Sequence, residues 1–226
     1  MLEILTLGNT AGAYPDSGPG PKSLKFGDTN AGYFGTVTQT ELFTAAEVIA
    51  ATGLSPAKQI ADANMLWVKF FWKGKVIYYP TQQVSNDLSW NQYSAANVVY
   101  SNANSKTLTK TSNNKQRTFR IRLPLATLTD PADRTVNKTS EFYALFAKVI
   151  AIGVTNAGWA TGTWDSLTAP VASINKYLFT QTTLSTNSAN AIWVMYDGTL
   201  ATSAKSNAEA INARGYMPVL ELVDLT

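Results

Sequence analysis

Hydrophobic and polar positions along the chain divide it into short, mostly strand-like pieces. Leu2–Leu7 alternates enough to predict a short strand. Gly8–Pro21 holds four Gly and three Pro, a composition that sustains neither a helix nor a central strand. It is read as an arm or loop reaching to Ser23. Leu24–Gly35, LKFGDTNAGYFG, is punctuated by Gly27, Gly32 and Gly35, with Asp28 and Asn30 as turn residues. Thr38 and Glu41 have the spacing of a capping box, and Leu42, Ala45, Ala46 and Ile49 recur at helical spacing. A helix is therefore expected from Thr38 to a stop at Gly53, with a second short one after Ser55-Pro56.

Leu66–Pro80, LWVKFFWKGKVIYYP, carries the strongest local signal. Two aromatic and β-branched runs flank Lys73-Gly74-Lys75, which predicts a hairpin. Trp67, Phe70 and Trp72 do not alternate cleanly, so both faces of that hairpin are expected to be covered. Ser89 is placed to cap a helix whose face carries Trp90, Tyr93, Ala96 and Tyr100. The polar stretch Ser101–Thr118 reads as a long loop or an exposed hairpin, and Thr118–Leu123, TFRIRL, as a half-buried strand closed by Pro124. An irregular stretch, Ala126–Lys138, has a turn at Asp130-Pro131. Ser140 then opens an expected helix, SEFYALFAKVIAIG, with Phe142, Leu145, Phe146 and Val149 inward and Gly153 as its end. Ile192–Tyr196 and Met217–Val223 are the last expected strands. No internal repeat stands out. The fold class that follows is α+β, with twisted antiparallel sheets and a few short helices.

The missing residue types narrow the chemistry. The 226-residue chain has no Cys and no His. Disulfides, thiolate nucleophiles, zinc–thiolate sites and histidine-based acid–base catalysis are excluded. Any metal would need oxygen ligands; no cofactor is expected. The close acidic pairs, Asp130/Asp133 and Glu221/Asp224, are read as turn and surface carboxylates. A glycan-cleaving site would need distant carboxylates to converge in a cleft. Asp197-Gly198-Thr199 is read as a turn. Gly18-Pro19-Gly20-Pro21-Lys22-Ser23 ends like a phosphate loop, but its spacing is wrong and its prolines remove amide donors.

Charge is sparse: 15% of residues, with 18 basic against 15 acidic. Lys106, Lys110, Lys115, Arg117, Arg120 and Arg122 nevertheless fall in a stretch without a single acid, between Asp87 and Asp130. They read as a solvated basic face. Lys106, Lys110 and Lys115 are its candidates for meeting an acidic neighbour or an anionic glycan. Only Phe119 is interleaved as an aromatic, so nucleic acid is not an expected partner. Of six Trp, Trp67, Trp72, Trp90 and Trp193 are assigned to the core. Trp159 and Trp164, in a Gly- and Thr-rich loop, are the candidates for a protein interface or for stacking on sugar. No apolar run reaches the 18 residues of a membrane span. The opening MLEILTLGNTAGAYP, with Glu3 and a short apolar stretch, does not read as a secretion signal.

Taken in order, LKFGDTNAGYFG, WVKFFWKGKVIYYP, SWNQY, RIRLP, SEFYAL and GYMPVLEL resemble a broad group of tailed-bacteriophage virion proteins found among tail and tail-fibre genes. In that group a W…RPVLEL ending is similar to C-type-lectin-like modules. Trp193 and Gly215–Leu222 match it, with Met217 where the pattern has Arg. The resemblance implies one α+β virion protein over residues 1–226, with 8–23 a Gly/Pro-rich arm or loop, read first as a surface loop and alternatively as an arm over an adjacent subunit. A subdivision into 24–110 and a lectin-like 111–226 is also implied. It implies a particle component of the tail, baseplate or neck, made in the host cytoplasm, whose partners are copies of itself and other virion proteins. A receptor-binding tail-fibre module touching host glycan and a capsid decoration protein are the alternatives.

Overall fold

The computed structural model describes residues 13–55, 58–59, 63–112, 114–133, 137–151, 163–165, 167–168, 177–195, 202–208 and 214–223. The expected strand Leu2–Leu7, the turn at Asp197, Gly153 and Trp159 lie outside them. In chain order the strands are β1 (Phe26–Gly27), β2 (Ala31–Thr38), β3 (Lys58–Gln59), β4 (Leu66–Trp72), β5 (Lys75–Pro80), β6 (Ser85–Asn86), β7 (Thr107–Ser112), β8 (Lys115–Arg122), β9 (Ile150–Ala151), β10 (Leu167–Thr168), β11 (Tyr177–Leu184), β12 (Asn187–Met195), β13 (Thr202–Ser206), β14 (Arg214–Tyr216) and β15 (Val219–Leu222). The helices are short: α1 (Ala45–Thr52), α2 (Trp90–Ala95) and α3 (Ala147–Val149), the last entered through a π-helical turn, Phe142–Phe146. The class is α+β, built mostly from antiparallel sheet.

Seven strands form the main sheet in the order β1-β2-β4-β5-β15-β8-β7, with every neighbour antiparallel. Hairpin β4–β5 supplies its middle. Its two-residue turn places Lys73 at φ 48° and Gly74 at φ 79°, the paired left-handed conformation that matches strand twist. The C-terminal β15 inserts between β5 and β8. Residues on both sides of a boundary at 110/111 therefore share one sheet, and hairpin β7–β8 spans that boundary.

Both faces of this sheet are covered, which explains why the aromatic and β-branched residues of β4 do not alternate with polar ones. On one face Phe34, Trp67, Phe71, Tyr78, Phe119, Ile121 and Leu220 pack with Phe43 and Val48 from the α1 region, Tyr93 of α2, and Phe179 and Trp193 of the second sheet. On the other face Tyr33, Val68, Phe70, Ile77, Tyr79 and Val219 pack beneath Phe142, Phe146 and Val149. Tyr79 stacks on Phe146 with ring centroids 5.1 Å apart. The four Trp assigned to the core are all buried. Met217 is buried in the second of these layers, an apolar side chain in an apolar place. The second sheet runs β13-β12-β11-β14-β6-β3, and a two-stranded parallel pair joins β9 to β10. Among the described residues, no helix is long and apolar enough to cross a membrane.

Local structure departs from expectation in four places, one of them α2, which ends at Ala95 and leaves Ala96 and Tyr100 beyond it. Thr38 does exchange hydrogen bonds with Glu41, but its backbone is paired with Leu66 in the ladder. The box closes only a turn. The helix starts one box later, where Thr44 accepts from the Glu47 amide and Glu47 reaches back to the Thr44 amide. Gly53 ends it at φ 70°, as expected. After Ser55 the described residues Lys58–Gln59 are strand rather than helix. Finally, the segment after Ser140 is a single wide turn and a short helix. Ser140 donates its hydroxyl to the Asn137 carbonyl instead of capping. The helix stops at Val149 because Ile150 and Ala151 pair with Leu167 and Thr168. The polar stretch after Ser101 takes the hairpin alternative, β7–β8.

Candidate functional site

The most chemically loaded place is a cleft of about 320 Å³ whose lining includes Trp72, Lys75, Tyr100, Arg122, Glu141 and Glu221. Its floor is charged and buried. Arg122 ends β8 on the face that Tyr79 shares, and it meets two acids distant in sequence. Its Nη1 and Nη2 donate to Glu141 Oε1 and Oε2 at 2.8 and 2.6 Å, a two-pronged contact. Its Nε donates to Glu221 Oε2 at 3.0 Å, and Nη1 also reaches the Leu123 carbonyl at 3.1 Å. Tyr79 Oη adds a 2.5 Å bond to Glu141 Oε1. Lys75 and Ser101 donate to Glu221 Oε1 at 2.7 and 2.9 Å.

Electrostatics fixes the protonation of Arg122, Glu221 and Tyr79. Burial works against the Arg122 cation, but Glu141 and Glu221 more than reverse that and hold it charged. Burial pushes the Glu221 carboxyl up, yet Arg122, Lys75 and the Ser101 hydroxyl outweigh it and keep the group below its ordinary range. Tyr79 is raised by burial and by the neighbouring Glu141 charge, so it stays a hydrogen-bond donor. Glu221 is therefore ionised near neutrality and is no proton donor. Both Glu141 oxygens face the guanidinium. The two glutamates clamp an arginine rather than flank a scissile bond, which needs a proton-holding acid opposite a second carboxylate. Mechanically, the cluster ties β8, β15 and the turn before Phe142 into one unit.

Two expectations are corrected here. Glu221 is only 4% exposed, not a surface carboxylate. An acid in the middle of the otherwise apolar β15 has to be paired once strands cover both its edges. The basic stretch is likewise not uniformly solvated: Arg117 and Arg122 are buried, at 6% and 2%. Alternation along β8 sends Arg117 to one face and Arg122 to the other. Glu141 carried no signal of its own, because its partner lies 19 residues away on a different element.

The residues singled out as contact candidates are not gathered in one place. Lys106 is exposed, beside the start of β7. Lys110 lies over the Phe43 ring, 5.6 Å from its centroid. Lys115 pairs with Asp16 at 2.6 Å. Trp164 is half-buried against the layer of Phe142 and Val149, with Lys148 Nζ 4.2 Å above its ring. Residues 13–23 of the arm lie on their own chain, where Ser17, Gly18 and Pro19 are buried over β4 and β5. Gly18, at φ 79°, has no room for a Cβ, which would stand 2.7 Å from Tyr78 Oη. Among the described residues no group of three or more acids is placed to hold a metal ion. Comparison of the chain with protein families, with curated proteins and with solved structures returned no match.

Proposed function

We propose that this chain is a non-enzymatic structural protein of a tailed-bacteriophage particle, in the tail, baseplate or neck, and that it works as a symmetric oligomer. One observation carries the reading. The segments behind the resemblance are separated by up to two hundred residues, yet LKFGDTNAGYFG, WVKFFWKGKVIYYP, RIRLP and VLEL supply β1–β2, β4–β5, β8 and β15, neighbours in one sheet. The clamped state of Glu141 and Glu221 supports a role in holding structure rather than in turnover. A chain with 15% charged residues also presents few charges to desolvate when subunits meet. Mass spectrometry of purified particles tests the reading: the chain should be present in many copies per particle. Its absence from particles that carry its gene would overturn the assignment.

A second reading, a receptor-binding module with a lectin-like C-terminal part, is favoured by the cleft. Trp72 and Tyr100 line it together with Ser101 and Gln181, the mixture of aromatic faces and planar polar groups that suits sugar. A glycan array probed with and without calcium distinguishes the two. Hits abolished by Tyr100→Ala favour the module, and a blank array favours the purely structural role.

A further inference from the structure

A second cleft, of about 220 Å³, opens between the arm and the end of hairpin β7–β8, and three cations, Lys22, Lys115 and Arg117, line it with a single carboxylate, Asp16. Arg117 forms the floor, its side chain 7% exposed, while Lys115 and Asp16 stand at the rim with side chains 57% and 47% exposed. Asp16 Oδ1 accepts from Lys115 Nζ at 2.6 Å and from Arg117 Nη2 at 2.9 Å. One anionic oxygen thus already sits where two donors converge. The third cation, Lys22, reaches only the Gly18 carbonyl of its own arm. Its ammonium is pushed down first by burial and then by the Arg117 charge, with Asp16 opposing. Among the described residues lining the cleft, three cations thus face one carboxylate.

We propose that this cleft binds an oxyanion of phosphate size, free or as a phosphate ester, lodged beside Asp16 and held by Lys22, Lys115 and Arg117. The site goes beyond the structural role proposed above and does not depend on it. Three arguments support the class of ligand. The excess of cations over carboxylates repels metal ions and attracts dianions. The lining offers charged N–H donors, with Ser112 and Pro15 beside them, and no aromatic face for a sugar ring to stack on. A buried guanidinium at the base of a partly closed cleft binds an oxyanion more strongly than it would in water, because the local dielectric is lower.

The test is calorimetric titration of the full chain with inorganic phosphate, at ionic strength matched by chloride. Saturable binding of one phosphate per chain is expected. Lys22→Gln and Lys115→Gln should each weaken it about three- to tenfold, and Asp16→Asn, which removes the competing charge, should tighten it. A parallel titration with glucose 1-phosphate separates the two sources: equal binding assigns the site to esters, and loss of binding assigns it to the free anion. Circular dichroism confirms that each variant is folded; Lys22, Lys115 and Asp16 are all at least partly exposed. Heat no greater than that of matched chloride, or an affinity untouched by both lysine variants, would overturn the proposal.

Discussion

Arg122 and Lys69 are both sunk into the main sheet, on opposite faces, and they are compensated in opposite ways. Arg122 meets two carboxylates and a carbonyl. Among the described residues, Lys69, 0% exposed on β4, meets neutral oxygens: Ser17 Oγ at 2.8 Å, the Pro21 carbonyl at 2.7 Å and the Gly18 carbonyl at 3.4 Å. The Phe34 ring completes its surroundings, 4.5 Å from the ammonium. Charge is accordingly firm in one place and loose in the other. The acids hold Arg122 protonated. Burial, helped by the Lys22 charge, pushes Lys69 down to about 6. The difference follows from what each cation fastens. Arg122 joins elements of the folded core, where carboxylates are already anchored. Lys69 fastens the Gly/Pro arm, a segment with few side chains to offer, so backbone carbonyls must serve. Tyr78 Oη does the same work beside it, facing the Ser17 and Pro19 carbonyls at 3.1 and 3.0 Å.

The sharpest way to break the comparison is to remove each cation. Arg122→Met leaves Glu141 and Glu221 buried and facing each other's charge. Urea unfolding at pH 7 should show a loss of about 3–5 kcal/mol. The gap should narrow in acid, where the Glu221 carboxyl, held low in the native cluster, takes up its proton. Lys69→Met should behave in the other direction. The folded chain binds fewer protons at Lys69 than the unfolded chain between about pH 6 and the ordinary lysine value of 10.5. Wild-type stability therefore climbs with pH across that window. Below about pH 6 the buried cation is present at its full cost, and the Met variant should be the more stable protein by about 2 kcal/mol. That advantage should fade toward pH 10. A stability difference independent of pH would contradict the contrast.

Smaller changes sharpen it. Tyr79→Phe removes a donor to the Glu141 carboxylate and should cost about 1.5–2 kcal/mol, measured by the same unfolding curves. Ser17→Ala removes one neutral acceptor from Lys69 and should cost about 1 kcal/mol. Its clearer readout is proteolysis, with cleavage in the arm becoming faster while the core stays protected.

Much of the architecture was legible because local signals agreed with tertiary demand. The Lys73-Gly74 turn, the Ser89 cap, the Gly53 stop and the strand expected at Thr118–Leu123, which runs from Lys115 to Arg122, were all readable from a few residues. The lack of clean alternation among Trp67, Phe70 and Trp72 implied two covered faces, and both are covered. Other features depend on partners that local pattern cannot see. Which of Thr38 and Thr44 opens the helix is decided by the pairing of Thr38 with Leu66. The length of the segment after Ser140 is decided by pairing of Ile150 with Leu167. The candidate site was the least legible part. Arg122, Glu141 and Glu221 are unremarkable singly, and they meet only because β15 threads between β5 and β8. The basic stretch was visible as charge, but alternation on β8 divided it into a buried clamp and a cationic cleft.

On the function proposed above, this molecule acts through the surfaces it presents to other subunits. Imaging intact particles with the chain tagged tests it most directly. Density from the tag should recur at symmetric positions in the tail, baseplate or neck. Tagged chain found only outside particles, together with glycan cleavage lost in Glu141→Gln, would contradict it.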